Sequence, residues 1–241
     1  MRNPIYLCLA HMGGSEQRYI QEAFDTNWVV PLGPNVNGFE EDLERFLQSG
    51  TTSTPASHVC ALSAGTAALH LAMVLLGIKV GDEVICQSFT FAASANPITY
   101  QGATPVFVDS ETETWNISPQ LLQEAIEDRI SKTGKKPKAI IVVHLYGMPA
   151  KMKEIKAIAE HYDIPIVEDA AEALGSSYKG QRCGTFGEYG ILSFNGNKMI
   201  TTSGGGALIC KDVEMRNRIM YFATQARESY PYYQHTDVGY N

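Results

Sequence analysis

The stretch "KAIIVVHLYG", residues 138–147, decides the fold class of this chain. Its apolar side chains follow one another without the alternation of a half-buried strand, which predicts a strand over 138–147 that is buried on both faces. Such strands occur mainly in parallel sheets, because crossover helices cover both faces of a parallel sheet. The stretch therefore indicates an α/β protein rather than an antiparallel sandwich or a helix bundle.

Strand patterns and helix patterns alternate on both sides of this stretch. Further strands are predicted at "HVCAL" (58–62), "DEVICQ" (82–87), "PVFVD" (105–109), "DIPIVEDAA" (163–171), "GILSF" (190–194) and "GGALIC" (205–210). Helices are predicted at "NGFEEDLERFL" (37–47), "GTAALHLAMVLLG" (65–77), "SPQLLQEAIEDRI" (118–130) and "KMKEIKAIAEHY" (151–162). This alternation predicts an α/β domain with a mostly parallel central sheet flanked by helices in three layers.

Composition limits the class of protein. The 241 residues, 44% of them hydrophobic, suffice for one sizeable core, or for a large domain with a fragment of another. A net charge of −7 argues against nucleic acid held by bulk charge. Five scattered cysteines without a CxxC pair argue against a disulfide framework or a metal site. With no signal-like or membrane-spanning run, we expect a cytoplasmic protein with no membrane partner.

A candidate phosphate site follows the first predicted strand. "LSAGTAALH" places Gly65, Thr66 and Ala67 at the start of a helix, where free backbone N–H groups and the helix dipole favour an anion. An ordinary capped helix is the alternative, and the chain has no dinucleotide-binding or P-loop glycine motif. Phe89 and Phe91 follow the next strand, where they could stack on a flat ring or pack in the core.

Two carboxylates end the strand in "IPIVEDAAEALG". Glu168 and Asp169 there would be costly to bury unless a cation meets them, and a protonated pyridine nitrogen would be such a cation. The alternative for Asp169 is the N-cap of a helix, which needs no ligand. Glu172 lies three residues further on and is expected to turn toward the same pocket.

One lysine stands in the polar stretch "SFNGNKMITTSGGGA" (193–207). Most surface lysines have no chemical role, but Lys198 follows a predicted strand, and Ser193 before it could donate to a phosphate. A lysine beside a phosphate site, an aromatic ring and a buried carboxylate can form an imine with an aldehyde cofactor. The chain order of phosphate turn, aromatic, aspartate, serine and lysine is therefore more specific than any single motif.

Together these motifs resemble the DegT/DnrJ/EryC1/StrS family of sugar-nucleotide aminotransferases, which are fold-type I pyridoxal phosphate (PLP) enzymes. The motifs are "SAGTAALHLA", "SFTFAASANPI", "HLYGMPAKM", "VEDAAEALGSSYKG", "GTFGEYG" and "SFNGNKMITTSGGGA", and the resemblance extends from about Pro4 to Asn241. "HMGGSEQRYIQEAFDTNWVVPLG" and "TQARE" are similar to the enzymes that make UDP-4-amino-4,6-dideoxy-N-acetyl sugars, as in the bacillosamine pathway.

The resemblance implies roles for single residues. Lys198 matches the lysine that binds PLP covalently, Asp169 the partner of the pyridine nitrogen, and Phe91 the ring stacked on the cofactor. Glu172 matches a position near the cofactor, and Asn241 an asparagine offered to the cofactor phosphate of the neighbouring subunit. Four residues match the phosphate cradle: Gly65, Thr66, Ala67 and Ser193.

The resemblance also implies a domain plan. Residues 1–36 would form an N-terminal arm with a substrate loop, and residues 37–241 the PLP-binding large domain. The family's smaller C-terminal domain would follow, so the chain is expected to be truncated. By position in the family, His11 and Arg227 are candidate nucleotide contacts, although a loop and a solvated arginine explain them equally well. His144 is expected near the cofactor edge, or as a satisfied histidine at a strand end.

The implied activity is transamination. The enzyme would move an amino group from L-glutamate to a UDP-4-keto-6-deoxy-N-acetylhexosamine, in lipopolysaccharide, capsule or glycoprotein biosynthesis, as a homodimer with sites shared between subunits. One alternative is other PLP chemistry on sugars, with a 3-amino product or a dehydration. The other is an inactive subunit that only binds or dimerises.

Overall fold

The computed structural model describes residues 4, 6, 9 and 11–240. The helices are α1 (Glu16–Asp25), α2 (Pro34–Gln48), α3 (Gly65–Leu75), α4 (Asn96–Tyr100), α5 (Pro119–Thr133), α6 (Met152–Tyr162) and α7 (Val213–Ala223). The strands are β1 (His58–Leu62), β2 (Glu83–Gln87), β3 (Thr104–Val108), β4 (Ala139–Val143), β5 (Ile166–Asp169), β6 (Ser177–Tyr178), β7 (Gln181–Arg182), β8 (Tyr189–Ser193) and β9 (Gly206–Cys210). Short 3₁₀ turns occupy Ala92–Ser94 and Leu145–Gly147.

Seven strands form the central sheet, in the order β1-β9-β8-β5-β4-β2-β3. Strand β9 is antiparallel to both of its neighbours, β1 and β8, and the remaining neighbours pair in parallel. The mostly parallel sheet predicted from the sequence is therefore confirmed. Strands β6 and β7 form a separate antiparallel pair.

Strand β4 explains why helices cover both faces of the sheet. Its five residues are all buried, and they alternate between two core clusters. Ala139, Ile141 and Val143 belong to the cluster that includes residues of α3 and α7, whereas Ile140 and Val142 belong to the cluster that includes residues of α5 and α6. A third cluster joins α2 to β1, β8 and β9. The predicted three-layer α/β/α architecture follows.

The strand predicted over 138–147 is shorter than expected. It ends at Val143, and Leu145–Gly147 turn away with Tyr146 in a left-handed conformation, at φ 50°. The apolar pattern misled here because a distant side chain binds this backbone: the Asn116 Oδ1 accepts the Leu145 N–H at 2.9 Å. The turn leaves the last residues of the stretch at the carboxyl edge of the sheet.

The helix predicted from "SPQLLQEAIEDRI" has the expected start. Ser118 is its N-cap, and the Ser118 side chain accepts the Leu121 N–H at 3.3 Å. The helix continues past the predicted end and stops at Gly134, which adopts a left-handed conformation. The predicted boundary between arm and large domain at 36/37 falls within α2, and that division stays a prediction.

The N-terminal arm contains α1, none of whose residues is buried. Within residues 11–240, no helix has both the length and the apolar character needed to cross a bilayer. The cysteines in this range are buried and free, and burial raises the pKa of the Cys86 thiol to about 12. Thiolate chemistry at neutral pH is therefore not expected at Cys86.

Candidate active site

A cavity of about 530 Å³ opens at the carboxyl edge of the parallel strands. The turns that follow β1, β2, β4, β5 and β8 supply its walls, because parallel strands bring their carboxyl ends to one edge. The site residues predicted from the sequence that line it are Gly65, Thr66, Phe91, Asp169, Glu172, Ser193 and Lys198. Segments more than 130 residues apart along the chain thus meet as the motif order predicted.

The start of α3 has the features of an anion cradle. Ala64 is the N-cap in an extended conformation and provides no capping side chain. Gly65 is required by close packing, because a Cβ there would lie 2.9 Å from the Ser193 Cβ and 3.3 Å from the Leu192 oxygen. The first-turn amides and the Ser193 hydroxyl are therefore brought to the same wall of the cavity. A phosphate suits this arrangement of backbone donors and helix dipole.

Asp169 presents a nearly buried carboxylate to the cavity, with 9% of the residue exposed. The Ser94 Oγ donates to its Oδ2 at 2.6 Å, and the Ala171 N–H donates to its Oδ1 at 3.2 Å. No helix begins at Asp169, so the N-cap considered from the sequence is not formed, and the bond to Ala171 belongs to a turn. Across residues 11–240 no Lys, Arg or His forms an ion pair with Asp169. A buried anion of this kind suits a cationic ligand atom.

Lys198 lies on the turn after β8, and its ammonium group points to a carboxylate in the same cavity. The Lys198 Nζ lies 3.1 Å from the Glu172 Oε1, and the Lys198 side chain is 14% exposed. The other oxygen of Glu172, Oε2, accepts the Tyr146 N–H at 3.1 Å. The predicted turn of Glu172 toward the pocket is thus observed. The pair holds the amine beside the carboxyl edge of the sheet.

The aromatic residues after β2 are not core residues. Phe91 lines the cavity with 78% of its surface exposed, and Phe89 lines it with 46% exposed. Core packing, the alternative considered from the sequence, therefore does not explain them. An exposed ring on a cavity wall can stack on a flat ligand.

Glu168, the neighbour of Asp169, is fully buried and has a different set of partners. Its carboxylate accepts N–H groups from Gly184 at 2.8 Å, Phe186 at 2.6 Å and Gly187 at 2.7 Å. The His144 Nε2 completes the set at 2.9 Å. Backbone and imidazole donors thus satisfy the carboxylate without a ligand. Glu168 therefore stabilises the 184–187 turn and is not a ligand-binding group of the cavity.

His144 lines the cavity but is satisfied on both ring nitrogens. Its Nδ1 accepts the Ala150 N–H at 3.1 Å, which leaves the proton on Nε2 for the bond to Glu168. Only 1% of the residue is exposed. Both interpretations made from the sequence therefore apply: the residue stands beside the cavity, and it is a satisfied histidine at a strand end.

Glu168→Gln is expected to lower the free energy of unfolding by about 3 kcal/mol, because an NH₂ group would face backbone donors and a buried charge-assisted network would be lost. Urea denaturation measures the loss. Glu188→Gln is the control, since Glu188 bonds the half-exposed Lys211 and should change stability little. Equal losses in the two variants would contradict the role assigned to Glu168.

Some predicted residues lie away from the cavity or outside the described chain. Ala67 continues the first turn of α3 without lining the cavity. His11 is exposed and is not part of the cavity wall. Arg227 is also exposed, with its guanidinium 4.4 Å from the ring centroid of Tyr233. Asn241 lies outside the described residues. The roles of these residues stay predictions.

Sequence reasoning missed several residues that build the site. Ser94 was inside the quoted motif "SFTFAASANPI", and a hydroxyl three residues after Phe91 was the available signal. Gln87 ends β2 with no exposed surface, and its side chain binds the backbone of Phe89, Ile117 and Val143. A polar side chain at the end of an apolar strand was the available signal for these backbone contacts of Gln87.

Comparison with known proteins finds a matching family model and curated relatives. The model of the DegT/DnrJ/EryC1/StrS aminotransferase family matches residues 11–241. EpsN of Bacillus subtilis (strain 168), a proposed pyridoxal phosphate-dependent aminotransferase, is 52% identical over the whole chain. GDP-perosamine synthase of Escherichia coli O157:H7 is 41% identical over 95% of the chain. The chain spans 60% and 59% of the lengths of these two relatives.

A solved structure shares the fold. Spr1654 from Streptococcus pneumoniae, a proposed sugar aminotransferase in its PLP-form, superposes with a TM-score of 0.84 at 27% identity. The match covers 99% of this chain and 62% of that chain. The predicted fold-type I architecture is confirmed by this likeness together with the sheet order.

Proposed function

Because this chain belongs to the DegT/DnrJ/EryC1/StrS aminotransferase family, we propose that it forms the catalytic domain of a PLP-dependent aminotransferase acting on a nucleotide-linked keto sugar. The observation that carries the proposal is the Lys198–Glu172 pair, 3.1 Å apart, in a cavity that also contains Asp169 and the Gly65 turn. An amine, a buried anion and an anion cradle are the groups that this cofactor needs.

The residues present fit PLP. Gly65, Thr66 and Ser193 would hold its phosphate, Phe91 would stack on its ring, and Asp169 would meet its ring nitrogen. When bound, the cofactor supplies an electron-accepting ring that stabilises negative charge on the carbon bearing the transferred amine. The fit rests on the close approach that only a glycine permits at position 65, and on a buried carboxylate aimed into the cavity.

Lys198 is the acid and base of the proposed reaction. Its Nζ would take a proton from the α-carbon of the amino donor and, in the second half of the reaction, would deliver a proton to the sugar carbon that gains the nitrogen. Glu172 holds the amine in place through one oxygen, while the Tyr146 N–H holds the other. This pairing keeps the lysine directed at the cavity before substrate binds.

Asp169 supplies the electrostatic part of the reaction. Its carboxylate favours a proton on a ring nitrogen that meets it, and a protonated ring withdraws electrons more strongly. The hydrogen bond from Ser94 fixes the direction of this carboxylate. The charge is therefore in position before the reaction begins, and no reorganisation is needed.

L-Glutamate is the proposed amino donor and a UDP-4-keto-6-deoxy-N-acetylhexosamine the proposed acceptor, in the biosynthesis of a glycan. The resemblance of the arm and of "TQARE" to the bacillosamine-type enzymes supports the UDP sugar. A GDP-linked keto sugar is a second candidate, because GDP-perosamine synthase is 41% identical to this chain.

Assay of defined keto sugars tests the proposal. The protein, loaded with PLP and L-glutamate, is expected to convert a UDP- or GDP-linked 4-keto sugar into the 4-amino sugar with equimolar 2-oxoglutarate. Mass spectrometry of the product and enzymatic assay of 2-oxoglutarate measure this. A dehydrated product without glutamate consumption, or a 3-amino product, would show that the protein catalyses a different reaction from the one proposed. No product from any keto sugar would contradict catalysis.

We propose further that the active form is a homodimer with sites shared between subunits. Arg227 is then a candidate nucleotide contact in the neighbouring site, since it is exposed and outside this chain's own cavity wall. Light scattering at micromolar concentration is expected to give twice the mass of one chain. A monomeric mass would contradict shared sites.

A further inference from the structure

Three exposed aromatic side chains lie on or beside the wall of the cavity. Phe89, Trp115 and Tyr146 are 46%, 60% and 64% exposed, and we refer to them as the aromatic rim. Phe89 and Tyr146 line the cavity, and the ring of Trp115 meets that of Phe89 edge to face, with centroids 6.1 Å apart. The rim is therefore continuous with the cavity that contains Lys198.

Two residues of the aromatic rim have an uncommon backbone. Trp115 has a φ of 63° and Tyr146 a φ of 50°, the left-handed region that bulky side chains rarely adopt. Such conformations persist only where surrounding structure enforces them, and they cluster at ligand sites.

Asn116 joins the two turns that carry these residues. It has no exposed surface, its Nδ2 donates to the Met148 oxygen at 2.9 Å, and its Oδ1 accepts the Leu145 N–H at 2.9 Å. Its side chain thus ties the turn after Trp115 to the turn that presents Tyr146. One buried amide therefore links the backbone segments that carry the two rings.

Glu111 holds the other side of the Trp115 turn. Its carboxylate accepts the Glu113 N–H at 2.9 Å and the Thr114 N–H at 2.8 Å, and it pairs with Lys151 at 3.0 Å. Although burial raises it, hydrogen bonds from the Thr114 hydroxyl, the Glu113 N–H, Lys151 and the Thr114 N–H together lower the pKa of Glu111 to about 2. Glu111 therefore stays charged at neutral pH and ties the Trp115 turn to Lys151.

We propose that the aromatic rim binds the base of the nucleotide-linked substrate, which stacks on Trp115. The inference rests on the proposed function and adds the residue that recognises the base. A sugar that reaches Lys198 leaves its nucleotide at the mouth of the cavity, where the rim stands. An exposed indole offers stacking area to a flat heteroaromatic ring. Because stacking tolerates any base, the rim suits uracil and guanine alike.

Binding of UDP, GDP and glucose 1-phosphate to the PLP-loaded protein tests the inference. Trp115→Ala is expected to weaken UDP and GDP binding about tenfold, the usual effect of losing one stacked base, and to leave glucose 1-phosphate binding unchanged. Trp115→Tyr should restore most of the affinity. Phe107→Ala is the control, because Phe107 is 56% exposed on the edge strand β3 and outside the cavity wall.

Fluorescence gives an independent readout, because the chain has two tryptophans. In the Trp28→Phe background, UDP and GDP are expected to quench Trp115 and glucose 1-phosphate is not. Unchanged nucleotide affinity in Trp115→Ala, with keto-sugar transamination intact, would overturn the inference and leave the proposed function standing. Absence of nucleotide binding by the wild type would overturn both. A Trp115 signal that follows protein concentration but not nucleotide would assign the rim to a second copy of the chain instead.

Discussion

Lys198→Ala is expected to lower kcat by about 10⁴-fold or more, because in the proposed mechanism one amine both binds the cofactor and transfers the proton. The Lys198 side chain is the amine held at 3.1 Å from Glu172 in the cavity. Steady-state assay with L-glutamate and the accepted keto sugar measures the loss. Turnover of Lys198→Ala at the wild-type rate would show that Lys198 is not the catalytic amine.

The matched control for Lys198 is Lys211→Ala. Lys211 also forms an ion pair with a glutamate, at 2.7 Å from the Glu188 Oε2, but it lies outside the cavity wall. Its removal is expected to leave kcat unchanged. Borohydride reduction after addition of PLP gives a readout besides activity: peptide mass should locate the adduct on Lys198, and Lys198→Ala should lack it. Labelling spread over several surface lysines would contradict a single reactive amine.

The sheet could be predicted because its signals are local. The buried run in β4 and the alternation of strand and helix patterns follow from hydrophobic burial alone, and the structure confirms both. Strand ends were less predictable, as the stretch 138–147 shows. Whether the backbone after Val143 continues the sheet depends on Asn116, which is distant in sequence. No window around "HLYG" contains that partner.

The meeting of the site residues could also be predicted, because topology brings the carboxyl ends of parallel strands together. The role of each single residue was harder to predict from the sequence. Glu168 and Asp169 are adjacent carboxylates at the end of one apolar strand, and the residue pattern alone does not distinguish their roles. In the structure, Glu168 accepts backbone N–H groups, whereas Asp169 faces the cavity. The difference depends on the 184–187 turn and on Ser94, whose positions only the folded chain defines.

Asp169→Asn is expected to lower kcat/KM by about 10²- to 10³-fold, the usual effect of removing one preorganised electrostatic group. Asparagine keeps the shape of the side chain, and it can still accept the Ala171 N–H and contact Ser94, so the fold should survive. The loss should therefore come from the missing charge. Kinetics with L-glutamate as the varied substrate measure it, and retention of the borohydride adduct on Lys198 would show that the cofactor still binds.

Asp163→Asn is the control for this substitution. Asp163 has a fully exposed side chain at the end of α6, with a left-handed backbone that asparagine tolerates. The same chemical change there is expected to leave kcat/KM unaltered. If Asp169→Asn also retained wild-type kcat/KM, the buried carboxylate would not be the partner of the ring nitrogen, and its bond to Ser94 would be structural. If Asp169→Asn lost the adduct on Lys198 as well, Asp169 would be needed for binding the cofactor before it is needed for the chemistry.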